Sequence, residues 1–135
     1  MTESAIRSFL EVLATIRESF RRTEIELAKS GKLKNIQVTA SPFRIGERAS
    51  FTFSIDGDLV RDSSNGSPLG LSIKIEALDS AWLLEEYIHF PHGDIDWFEY
   101  EEREDRSTSF EELLNVLPAF SEQSLYLYRR VVLAA

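Results

Sequence analysis

The sequence predicts a single α+β domain spanning residues 1–135: an N-terminal helix, a four- or five-stranded antiparallel meander sheet and a C-terminal helix or two, arranged in two layers. Three observations carry this. Apolar residues recur every three or four positions near both ends of the chain, the helical period. Between those ends they alternate with polar residues in short runs, the strand period. The connections between runs are short, which favours antiparallel pairing of successive strands, and helices at both ends of such a sheet can pack on one face.

The first helix is expected over residues 3–29, with Ile6, Phe9, Leu10, Leu13, Ile16 and Phe20 on one face. Thr2 or Ser4 can cap its start, Glu3 suits the positive end of the helix dipole, and Lys29 followed by Gly31 is a stop signal. Past Phe20 the apolar face thins to Ile25 and Leu27, so the last turns are expected to project or be partly solvated.

Ile36, Val38 and Ala40 alternate as a strand that Pro42 ends or marks as an edge. The clearest strand covers residues 49–55, with Ala49, Phe51, Phe53 and Ile55 facing one way and Ser50, Thr52 and Ser54 the other. Asp56-Gly57-Asp58 reads as a turn, and Arg61 to Pro68 as a polar loop. A third strand carries Leu71, Ile73, Ile75 and Ala77. Two more are expected at residues 81–90 and 94–102, joined through Phe90-Pro91-His92-Gly93. In the first, Trp82, Leu84, Ile88 and Phe90 share a face; in the second, both faces carry aromatics.

Both Thr108…Glu111 and Ser109…Glu112 fit a capping box that opens the C-terminal helix, whose stripe is Leu113, Leu114 and Leu117 and which Pro118 is expected to break. The spacing over residues 121–133 fits either a helix or a strand. Phe9, Leu13, Ile16, Phe51, Phe53, Ile73, Ile75, Trp82, Leu113 and Leu117 are the expected core.

At 43% apolar and 28% charged, the composition is that of an ordinary globular domain. The chain has no cysteine, which excludes disulfides, thiolate metal sites and a cysteine nucleophile. The first 22 residues are interrupted by charges every few positions, so they form neither a signal peptide nor a membrane span. A cytoplasmic protein, bacterial in style, is the expectation.

The net charge of −8 is unevenly spread: residues 1–75 carry net +2, residues 76–112 net −11 and residues 113–135 net +1. Such a distribution repels nucleic acid and anionic lipid and steers toward basic partners. Within the acidic third, Trp97-Phe98-Glu99-Tyr100-Glu101-Glu102 interleaves aromatics with carboxylates. Aromatics supply interface area at low entropy cost, and carboxylates supply steering and specificity. The candidate partner-binding residues are therefore Asp94, Asp96, Phe98, Glu99, Tyr100, Glu101 and Glu102.

Chemistry has weaker support. His89 and His92 flank a proline turn near Asp94 and Asp96, but such a pair is not preorganised for a metal, and no bound metal or other cofactor is expected. The carboxylates from Asp94 to Glu102 could form an acid–base pair only if one were buried and another kept ionised. No nucleophile elbow, phosphate loop or dinucleotide fingerprint is present.

The helix ending at Gly31, the Ile36–Ala40 strand before Ser41-Pro42, Leu69-Gly70-Leu71-Ser72-Ile73, the acidic Asp96–Glu102 strand and Ser109-Phe110-Glu111-Glu112-Leu113 together resemble the layout of small acidic bacterial immunity proteins of contact-dependent toxin systems. The resemblance lies in layout and charge. It implies a non-catalytic, cytoplasmic toxin inhibitor that covers a basic toxin domain with its acidic surface. Type III secretion chaperones, which are also small, acidic α+β proteins and dimerise, are one alternative, although the helix that interrupts their sheet is not evident here. A small enzyme using the Asp94–Glu102 carboxylates is another. A homodimer stays open.

Overall fold

The computed structural model describes residues 3–45, 48–60, 67–89 and 102–134, with the main chain alone at residues 42–45, 48, 49 and 67. The elements are α1 (Glu3–Ser30), β1 (Leu33–Ile45), β2 (Arg48–Leu59), β3 (Ser67–Ala77), β4 (Trp82–His89), β5 (Arg103–Ser107) and α2 (Phe110–Ala134). The five strands form one antiparallel sheet in sequence order, β1-β2-β3-β4-β5.

With an odd number of meandering strands, β1 and β5 run in the same direction. Each is joined to its helix by a short connection, so α1 and α2 lie parallel. Their contacts advance together along both helices, as a parallel pair requires. The rings of Phe9 and Phe110 are 5.4 Å apart, the Ser19 hydroxyl donates to Glu122 Oε1 at 2.6 Å, and Arg129 pairs with Glu26 at 3.3 Å.

Both helices cover the same sheet face. Phe53, Ile55 and Leu59 of β2, Leu69, Leu71, Ile73 and Ile75 of β3, and Leu84 and Ile88 of β4 supply its core. Leu13, Ile16, Phe20 and Leu27 from α1 and Leu113, Leu117, Leu125, Tyr128 and Val132 from α2 close over them. Tyr128 is fully buried and its hydroxyl donates to the Leu69 carbonyl at 2.7 Å, tying α2 to the sheet.

The fold class agrees with the sequence expectation, and the structure corrects several details. Leu27 is buried, so α1 stays packed through its second half although Ile25 is 48% exposed, and in its first turns Ile6 and Leu10 face outward while Phe9 packs at the core margin. Gly31 at φ 72° ends the helix as the stop signal implies. Asp56-Gly57-Asp58 is not a turn, because β2 continues through it to Leu59. Gly57 serves close packing instead: a Cβ there would meet the Leu33 side chain at 2.5 Å. Ser67 and Pro68 belong to β3, where proline is tolerated at a strand start.

Pro118 does not break the last helix. α2 runs unbroken through it, which settles residues 121–133 as helical. Of the expected core, Phe9, Phe51 and Trp82 are half-buried at its margin and the other seven residues are buried. The expected 94–102 strand lies outside the described residues save for Glu102, which precedes β5.

Candidate functional site

The rear of the sheet, away from the helices, carries a polar surface, and strand register decides what meets on it. One row across the strands is Thr52, Lys74, Glu85 and Glu104; the next is Ser54, Ser72 and Tyr87; the next is Asp56, Gly70 and His89. Like charges therefore stand directly opposite each other at Glu85 and Glu104, an arrangement that costs stability in an antiparallel pair. Exposed Glu102, immediately before β5, lines the same recess as Glu85 and Glu104.

Three carboxylates thus gather around Tyr87. Its hydroxyl donates to Glu85 Oε2, and its pKa is pushed up to about 12. That hydrogen bond is the main cause, followed by partial desolvation and the negative charges of Glu85, Glu102 and Glu104. A shallow recess of about 140 Å³ lies at this strand pair, lined by Glu85, Glu86, Tyr87, Glu102, Arg103 and Glu104. Lys74 offsets part of the charge, lying 3.4 Å from Glu76 and 3.9 Å from Glu85.

What fixes this edge lies on the opposite face. Glu86 points among the helices and is 2% exposed. Arg103, its cross-strand partner, donates to it through Nε at 3.2 Å and through Nη2 at 3.0 Å. The same guanidinium donates to the Phe120 carbonyl at 2.7 Å and to Ser124 Oγ at 2.9 Å, and lies 3.9 Å over the Phe120 ring. Ser124 also donates to Glu86. Arg103 thereby clamps the start of β5 to α2.

Of the residues singled out in the sequence, only Glu102 falls within this edge. Asp94, Asp96, Phe98, Glu99, Tyr100 and Glu101 lie outside the described residues, as does His92. Sequence reasoning missed Glu85, Tyr87, Glu104 and the Glu86–Arg103 clamp. Glu86 left a signal: it interrupts the apolar parity of Trp82, Leu84 and Ile88, and a charge at a core position requires a partner. Glu85 opposite Glu104 left none, since the pairing depends on a register that neither strand specifies alone.

The register also gathers Ser54, Ser72, His89 and Asp56. The two serine hydroxyls are 3.1 Å apart, and Ser72 Oγ lies 3.4 Å from His89 Nε2. Asp56 leans over Gly70, which has no side chain to exclude it; burial raises its pKa, and the charge of His89 partly opposes the shift. These are the residue types of a nucleophilic triad, without its geometry. The serine–imidazole contact is long, and β3 pairs on both sides, so its ladder amides are not free to form an oxyanion hole. Among the described residues no group of three or more metal-ligating side chains forms. No helix among them is long and apolar enough to cross a membrane.

Compared with known proteins, the chain matches no family model, no curated protein and no solved structure.

Proposed function

We propose that this is a non-catalytic binding domain whose acidic β4–β5 edge, together with the aromatic and acidic 94–101 sequence, docks on a basic protein, and that it acts as a toxin-neutralising immunity protein. The observation that carries this reading is Glu85 directly opposite Glu104, with Glu102 alongside. A sheet gains nothing from juxtaposed carboxylates, whereas a basic partner relieves their repulsion on binding. The net −11 within residues 76–112 extends the attraction beyond contact range, which raises the association rate at low salt. The aromatics at positions 97, 98 and 100 supply the anchors that slow dissociation.

The test is to capture the partner and measure its association rate against the protein and against a variant with Glu85, Glu102 and Glu104 reversed to lysine. A rate that falls on reversal and with added salt supports the reading; a rate indifferent to both refutes it. The gene immediately upstream supplies an independent check. A large secreted protein with a variable C-terminal toxin domain supports immunity, a secretion-apparatus operon supports the chaperone alternative, and a metabolic operon supports an enzyme.

A further inference from the structure

The opposite edge of the sheet has different chemistry. β1 is 13 residues long and, among the described residues, pairs only with β2, so that its outer side presents unpaired main-chain groups among them. Two features limit that edge. A bulge between Lys34 and Gln37, with Asn35 at φ 54°, interrupts it at one end, and Pro42 removes a donor at the other. Between them a short regular window remains. An edge-strand proline sits with its nitrogen facing away from its neighbour, and by strand alternation the N–H and C=O groups of Val38 and Ala40 face the same outer side.

The side chains of Val38 and Ala40 are half-buried on the helix-covered face, where they line a groove of about 250 Å³ between β1 and α1. Phe53 lies at its floor, and Arg17 and Arg21, one helical turn apart, stand along its rim with Glu24. Both arginines are exposed, and among the described residues neither has a hydrogen bond or ion pair. β1 itself contains Lys34 and Arg44 and no acidic residue. The edge thus combines a strand template, an apolar floor and an excess of cations.

We propose that the outer edge of β1 is a second docking surface, which takes an extended peptide with acidic side chains as a sixth strand. Main-chain bonds to Val38 and Ala40 hold the peptide, and its carboxylates on the groove side meet Arg17 and Arg21. Strand addition supplies affinity largely independent of sequence, while the arginine pair selects for acid. Because β1 and β5 are opposite edges, this surface stands or falls separately from the acidic one.

The probe is a dye-labelled heptapeptide in which Glu alternates with Val, titrated with the full chain and followed by fluorescence anisotropy. Saturable binding is expected, with amide shifts centred on Val38 and Ala40 in a heteronuclear NMR spectrum. A peptide with Lys in place of Glu, one methylated at alternate amide nitrogens, and the Arg17→Glu, Arg21→Glu double variant should each weaken binding at least tenfold. Both arginines are exposed, so unchanged thermal melting will verify that the variant is folded. The proposal is overturned if the Glu peptide does not bind, if the lysine or methylated peptide binds as well, or if the shifts map elsewhere. It is also overturned if the chain alone is a dimer whose Val38 and Ala40 amides shift with protein concentration, since a second copy would then occupy the edge.

Discussion

At Glu86 a buried carboxylate is held beneath α2 by hydrogen bonds from Arg103 and Ser124. Removing one member of such a pair is costly because the other charge stays buried. Arg103→Ala should therefore destabilise the fold by about 2–3 kcal/mol, below the usual range for a buried pair because the guanidinium is one-third exposed. Replacing both partners, as Glu86→Leu with Arg103→Met, should recover most of that loss; urea denaturation of the three variants checks both statements. Tyr128 gives a pH-dependent counterpart. Burial, aided by the charge of Asp56, raises the pKa of its hydroxyl well above the ordinary value of 10. The folded state thus retains a proton that the unfolded state releases, so this contribution is complete below pH 10 and declines as pH rises beyond it. Tyr128→Phe should lower stability at neutral pH by about 1 kcal/mol through the lost bond to Leu69 and flatten the alkaline limb of a denaturation series from pH 8 upward.

Among the elements, α2 shows how tertiary packing overrides a local rule. Pro118 withholds one intrahelical hydrogen bond and crowds the preceding turn, yet buried Leu113, Leu117, Phe120, Leu125, Tyr128, Val131 and Val132 keep the helix continuous on both sides of it. Pro118→Ala should accordingly raise the denaturation midpoint, by up to about 3 kcal/mol of stability if the backbone relaxes fully. β2 shows the opposite case, in which periodicity alone sufficed. The alternation over residues 49–55 identifies Phe53 as core, and it is 1% exposed. Phe53→Ala should cost about 3–5 kcal/mol, read from the same denaturation experiment. Where β2 ends was not legible, because Asp-Gly-Asp carries turn chemistry and only the packing of Leu33 against Gly57 shows that glycine there admits a close neighbour.

For the whole molecule, the proposed function sets the stability of the acidic edge against binding. Glu104→Lys places a cation opposite Glu85 and should increase stability by about 0.2–1 kcal/mol. If the proposed function holds, the same change should slow association with the basic partner, most strongly at low salt. Thermal melting and association kinetics on one variant therefore distinguish an edge kept for a partner from a charge pattern without consequence. Should partner association be unaffected while stability rises, the edge has no role in binding.

The sequence by itself indicated the N-terminal helix, the first four strands and their antiparallel order, the opening of the C-terminal helix and the concentration of charge in residues 76–112, because periodicity and composition are local properties of the chain; it showed neither β5 at Arg103–Ser107 nor the passage of α2 through Pro118. It also placed Glu102 and the 94–101 segment in the acidic region, without fixing what faces them. Only the tertiary structure decided that Glu85 meets Glu104, that Arg103 clamps Glu86, and that His89 lies beside Ser72 while Asp56 leans over Gly70. Those juxtapositions depend on strand register and on the shared face of two parallel helices. A shift of one residue would have sent each of these side chains to the other side of the sheet, and the choice between registers is made by the burial of the whole apolar face at once.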